Sequence, residues 1–466
     1  MRERPASAKR PAGGRRPAAR WPDALRAQLT LALALALVLA CGAGLAGGTG
    51  HANAATGDPN AATGDALLRH PAPLVLSDRA MEPLDPPVAL GGDDPLYTHF
   101  GTITALPDGS LVYAGMKGRG HSARDGGSDI VVHRSTDRGR SWSAPIVVAE
   151  GLVSGRTHRA PRLGTTTGGQ ALLVYVEDDG SAGVPIDDEP GPFRLVQRRS
   201  TDGLRWSEPS PMPIEGGNPS NPRGSQMIVY GPIERIGPDQ LGAMAYLGPL
   251  NYFLTGDGDA RRWRIHAILD ERELFEGIDV NEMSFEALDA GTGTGGVLAI
   301  ARLGGARSAF LQLASPPDPG LDGRWRPIGP LPIPASGGYA STDLTTVGWR
   351  GRRYVLASVM HRAPRDGSDR RSDARRIHVL CAPLPLSEEP PAWRSVGYVD
   401  AGLSLSWRSG YSTALGMGGE LVMALHDERT ETDSDAYVVR FALSEVLGAN
   451  GERCAPGGMA GDPEAR

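Results

Sequence analysis

Cysteine is nearly missing from this chain. Its 466 residues include three, Cys41, Cys381 and Cys454. That is too few for a disulfide framework, although Cys381 and Cys454 can pair in an oxidising compartment. No two of them stand at metal-site spacing, and no cofactor or metal is expected. Aromatic residues are sparse as well, at 6 %, so any regular placement among them carries information. Positive charge is scarce beyond the first 26 residues. Arg2, Arg4, Lys9, Arg10, Arg15, Arg16, Arg20 and Arg26 lie there with Glu3 and Asp23, and without these ten the 48 basic and 54 acidic side chains become 40 and 52, a balance of −12. A surplus of that sign leaves no electrostatic footprint for nucleic acid. Glycine and proline, by contrast, are plentiful at 63 and 39, natural for a chain that turns every few residues. The length suffices to bury a large apolar interior.

The apolar run LTLALALALVLA, residues 29–40, follows the basic stretch and has the length of an export leader. The protein is therefore expected outside the cytoplasm, secreted or held at the surface of a bacterium. Val38-Leu39-Ala40-Cys41 resembles a bacterial lipobox, which would place a lipid on Cys41. Ala52-Asn53-Ala54 has the small-residue pattern of a signal-peptidase site, but it stands far from the apolar run. An uncleaved helix reaching Gly48 is a third route. Membrane contact is expected only through this leader or its lipid. Residues 42–80 read as a Gly/Ala/Thr-rich flexible linker, and 450–466 as a disordered polar tail.

Five tryptophans recur at steps of 64, 57, 62 and 68 residues: Trp142, Trp206, Trp263, Trp325 and Trp393. A near-constant period of that size indicates a repeat architecture. The segment before each also recurs. Ser135-Thr136-Asp137-Arg138-Gly139-Arg140-Ser141-Trp142 is the clearest copy; Ser200-Thr201-Asp202-Gly203-Leu204-Arg205-Trp206 is one residue shorter; Thr255-Gly256-Asp257-Gly258 before Trp263 is stretched. Around the last two, little beyond the ring is kept. Ser and Asp side chains bond nearby amides and Gly supplies a positive φ, so each copy specifies a turn with an apolar lid.

A second series alternates with the first. Pro107-Asp108-Gly109, Gly168-Gly169, Gly237-Pro238-Asp239, Gly295-Gly296, Gly351 and Gly418-Gly419 each precede a short apolar strand, which is a hairpin signal. Six such units over about 360 residues predict an all-β chain of four-stranded antiparallel units. The Ser-x-Asp-x-Gly-x-x-Trp segment resembles the Asp box of the sialidase-like (BNR-repeat) β-propellers. That resemblance implies a six-bladed propeller over 81–449, closed where the strand near Ala436–Leu443 pairs with the N-terminal strand and leaves no free edge.

The resemblance also implies a site. Family members use a tyrosine nucleophile activated by a glutamate, because the substrate carries a carboxylate at its reacting carbon. Tyr411, before the last hairpin, and Glu282, before the fourth, match those two positions. A packed aromatic and a solvated loop carboxylate are their bland alternatives. Asp125, in the loop His121–Asp129, matches the acid catalyst, with Asp129 as the alternative. Of the family's three arginines that clamp a carboxylate, Arg302 matches one. His99 stands where the first is expected, and Arg376 or His378 where the third is expected. Histidine is a weaker, pH-dependent substitute. Arg223 enters the third unit and His158 with Arg159 the second. His426-Asp427-Glu428 is not expected to bind metal, because alternate strand residues point to opposite faces. The implied activity is release of a terminal acidic sugar from glycans by a monomeric exo-glycosidase. A non-catalytic surface propeller binding glycan or protein is the alternative, and a hydrolase of other chemistry on this scaffold is a third.

Overall fold

A computed structural model describes residues 74–455 except 92–95, 121–126, 179–193, 216–226, 248–249, 271–279, 289–295, 304–309, 316–324, 334–337, 363–375, 387–390, 404–409 and 431–432. Among the described residues the chain is all-β apart from one short helix, Leu443–Leu447, and one 3-10 turn, Glu452–Cys454.

Each of the six turn signals falls between the first two strands of an antiparallel unit. The first unit runs Tyr97–Ala105, Leu111–Gly118, Ser128–Ser135 and Ile146–Ala149. The second runs Thr157–Thr165, Ala171–Asp178, Arg194–Ser200 and Ser210–Pro211. The third is Ile228–Gly237, Gln240–Leu247, Leu250–Asp257 and Trp263–Asp270. The fourth is Val280–Ala287, Val297–Leu303, Phe310–Ser315 and Arg326–Pro330. The fifth is Gly338–Trp349, Arg352–Arg362, Arg376–Leu384 and Arg394–Val399. The sixth has three strands, Gly410–Met417, Glu420–Thr430 and Asp433–Ala442, and takes its fourth, Val88–Ala89, from the N-terminal side, with Val88 opposite Val438.

The second strands pack on both faces, which is why they read as continuous apolar runs rather than alternating ones. Leu111 to Ala114 and Ala171 to Val176 are all nearly inaccessible to solvent. The first strand of each unit packs beside the first strand of the next, and that of the sixth packs beside that of the first. The hydrogen-bonded sheets do not themselves close. Their strands divide into sheets of five, thirteen, four and four. Single parallel pairs, Ser128 with Thr157 and Ile233 with Gly164, join the first three units. Gly164 is needed there, since a Cβ would lie 2.4 Å from the Ile233 carbonyl oxygen.

The tryptophan-linked turns join third strands to fourth strands. Asp137 accepts from the Ser141 amide at 2.9 Å, Ser135 Oγ accepts from the Gly139 amide at 2.7 Å, and Trp142 Nε1 donates to the Gly139 carbonyl at 3.2 Å. Asp202 and Ser200 repeat this with the amides of Arg205 and Gly203, both at 2.8 Å. In the stretched copy Asp257 accepts from the Arg261 amide at 2.6 Å, and Trp263 is buried.

Both ends of the folded region extend past the expected limits of 81 and 449. Leu74 donates its amide to Pro332, Ser77 donates to Ser395 Oγ, and Arg79 pairs with Glu445. The linker expected to reach residue 80 therefore stops short of Leu74. At the other end, Cys454 is buried and bonded to Cys381, with Cα atoms 5.8 Å apart. The expected tail thus begins as ordered chain: the disulfide pins it to the fifth unit, and Glu452 fixes its local turn by accepting from the amides of Ala449 and Asn450. The bond spans 73 residues. Replacing both cysteines by serine should lower stability by about 2–4 kcal/mol, read as a lower melting temperature that reductant does not reduce further.

Candidate functional site

The same irregularity recurs in the first strand of every unit. Its pairing with the second strand loses register between His99 and Thr102, Arg159 and Arg162, Tyr230 and Glu234, Asn281 and Ser284, Tyr339 and Thr342, and Gly410 and Thr413. Such bulges re-aim side chains and gather at sites. In four units the residue just past the break has a left-handed backbone: Phe100 (φ 53°), Ala160 (49°), Gly231 (75°) and Glu282 (50°). Glycine adopts this freely, whereas at Phe100, Ala160 and Glu282 the side chain makes it a strained conformation that the repeated bulge imposes.

Glu282 is paired. Arg302, opposite Asn281 on the second strand, donates from Nη1 to Glu282 Oε2 at 2.6 Å, with side chains 27 % and 12 % exposed. This short charge-assisted bond holds the carboxylate in one orientation. One donor of the Arg302 fork is thereby engaged by a carboxylate of this chain. Tyr411 occupies the matching place in the sixth unit, directly after the register break at Gly410; its side chain lies outside the described residues. Asp125, Arg223 and Cys41 fall outside them too.

His99 is the residue expected in the place of the first clamp arginine. It is fully buried, with ring centroids 4.5 Å from Tyr97, 3.8 Å from Phe100 and 5.9 Å from His426. His378 is also buried and packs edge-on to Tyr398. Arg376 lies over the face of the same Tyr398 at 3.9 Å and faces Asp78 at 3.7 Å. Both belong to the third strand of the fifth unit and meet Tyr398 of its outer strand. Asp129, the alternative acid, caps a loop, its Oδ1 accepting from the amides of Gly151 and Leu152 at 2.7 and 2.8 Å. His158 faces Glu177 at 3.4 Å and Arg159 faces Asp178 at 3.6 Å.

Beside the bulges lies a small pocket lined by the first strands of five units: Gly101, Arg162, Tyr230 with Gly231, Thr342 with Asp343, and Ser412 with Thr413. Arg162 is buried, donates to the carbonyls of Phe100 (3.2 Å) and Pro161 (2.9 Å), and stacks over Tyr230. Burial pushes the Asp343 carboxyl up to about 8 against the pull of the Ala414 amide and Arg162. Glu286 and Glu234 are raised as well, chiefly by burial, and hydrogen-bond to each other. Sequence reasoning missed these three carboxylates. Their only signal is an acidic residue at an inward position of an otherwise apolar or small-residue strand.

No family model and no curated protein sequence matches the chain. Solved structures do. A protein of unknown function from Dyadobacter fermentans has a TM-score of 0.55 at 15 % identity, covering 78 % of this chain and 99 % of its own. The NanB sialidase of Streptococcus pneumoniae has 0.57 at 10 %, covering 79 % and 71 %. A Hadza microbial sialidase has 0.56 at 16 %, covering 78 % and 69 %. At these identities the likeness is one of fold alone: the chain has an all-β, sialidase-like fold.

Proposed function

We propose that the six units are the blades of a six-bladed propeller and that the protein is an exported, monomeric exo-glycoside hydrolase acting on a terminal acidic sugar. The observation that carries this reading is Glu282. It sits with a strained backbone at a bulge, its carboxylate fixed by Arg302, in a fold similar to that of known sialidases. The Glu282 carboxylate can take the phenolic proton of Tyr411 as the tyrosine oxygen attacks the anomeric carbon. Asp125 delivers a proton to the departing oxygen, and water then releases the sugar from the tyrosyl intermediate. The leader and a lipid on Cys41 would hold the enzyme at the cell surface.

One observation favours the alternative of a non-catalytic glycan- or protein-binding propeller. His99 and His378, which stand where clamp arginines are expected, are both buried. A panel of sialosides and uronides separates the two. The enzyme reading expects release of free sugar from at least one member, and a drop in kcat of about 100-fold in Glu282→Gln. No turnover across the panel, with glycan-array binding kept in the Tyr411→Phe/Glu282→Ala double variant, establishes the binding reading instead.

A further inference from the structure

Two buried polar contacts reach the strand Gly410–Met417 from the fifth unit, at and just beyond its register break. Asp343 Oδ2 accepts the Ala414 amide at 2.7 Å. The hydroxyls of Ser358 and Ser412 lie 2.9 Å apart. Asp343 and Ser358 are each 3 % exposed. They are linked to one another, because Thr342 Oγ1, next to Asp343, donates to the Ser358 carbonyl at 2.8 Å. Between Gly410 and Thr413 the pairing with Glu420–Thr430 is interrupted, so the ladder does not itself dictate the path of residues 411 and 412. A carboxyl group is an expensive thing to bury, and an apolar residue would fill the same space without that cost. Its presence calls for a directional role, and the amide it accepts is three residues from Tyr411.

We infer that Asp343 and Ser358 are positioning residues that moor the bulge of the sixth unit and so set where Tyr411 is presented. Arg162 stabilises the arrangement from across the cavity while holding the Phe100 bulge of the first unit by its carbonyl. The catalytic consequence rests on the reading of Tyr411 as nucleophile; the mooring of the backbone does not.

The test compares the full chain with Asp343→Ala, Asp343→Asn and Ser358→Ala. Hydrogen exchange over residues 410–417 is measured without ligand, together with the melting temperature and with kcat and KM for a glycoside the wild type cleaves. Asp343→Ala and Ser358→Ala should each speed exchange in that segment by about 10-fold or more, with other core strands unchanged. Asp343→Asn keeps an acceptor and should restore wild-type protection. In the two alanine variants kcat should fall about 10- to 100-fold with KM within about 3-fold, since a small misplacement costs rate rather than binding. Unchanged exchange over 410–417 in both alanine variants overturns the proposal. So does loosening spread evenly over the whole chain, or Asp343→Asn behaving like Asp343→Ala. If Asp343→Ala does not fold, Ser358→Ala decides. If the wild type cleaves no glycoside, the hydrolase reading falls while the exchange measurement still decides the mooring.

Discussion

Tyr411→Phe should reduce turnover of any glycoside the protein cleaves by about a thousandfold or more while leaving KM within a few-fold. Under the proposed hydrolase reading, removing one hydroxyl deletes the nucleophile itself, so the loss falls on the transition state and not on ground-state binding. The substitution keeps the ring, and therefore the packing, so the melting temperature should move by less than about 2 °C. Steady-state kinetics beside a thermal melt make the measurement. A variant that retains more than a tenth of wild-type kcat would remove Tyr411 from the chemistry. Restored turnover with added azide or formate would place the lost group at the anomeric carbon, because a small external nucleophile can occupy the space the hydroxyl left.

The second large effect concerns stability rather than rate. Asp343 is raised from 3.8 to about 8, and Glu286 and Glu234 are raised as well, in each case mainly by burial. In the unfolded chain all three are ionised above pH 6. A raised acid keeps its proton only in the folded state, so its contribution shrinks as pH rises through the folded value. Between pH 6.5 and 8 each retained proton costs about 1.4 kcal/mol of stability per pH unit. Asp343 alone should therefore account for about 2 kcal/mol over that window, a fall in melting temperature of about 3–5 °C. Below pH 6.5 the sign is mixed. His133 and His158 are lowered by burial, and Asp137 is depressed to about 2 by its bonds to Ser141, Ser135 and Arg140 against the effect of burial. Both classes lose stability as pH falls, the histidines first and Asp137 last. Melts from pH 6.5 to 8.5 isolate the buried carboxylates. Asp343→Asn should flatten most of the slope, and an equal slope in that variant would mean that Asp343 does not titrate in this range.

The turns of this protein were legible in its sequence because they are local. Ser135, Asp137 and Gly139 bond to each other within five residues, so their spacing states the geometry. The six glycine-marked hairpins state the order of units, and continuous apolar runs such as Ala171 to Val176 announce strands packed on both faces. Even the pairing of the chain's two ends followed, since a three-stranded last unit exposes an edge that Val88–Ala89 covers. The pairing of Cys381 with Cys454 was available as a possibility from their number alone. The site was legible only in part. Glu282 and Arg302 lie twenty residues apart on adjacent strands of one unit, where register alone brings them together.

His99, His378, Asp343 and Ser358 were decided by tertiary structure. Each first strand meets its neighbours only after the intervening chain has folded, so no local spacing reports which side chains face one another. His99, expected in the place of the first clamp arginine, is enclosed by Tyr97, Phe100 and His426 because residues of the first and sixth units meet around it. Asp343 reaches the Ala414 amide from 71 residues away, and its burial follows from strands of five units packed around one cavity. Sequence by itself therefore determined the repeated units and their turns, which short-range hydrogen bonds and apolar patterning encode. Only the packing of the units against one another decided which polar groups lie buried against the strand Gly410–Met417, because burial and long-range contact belong to the assembled fold.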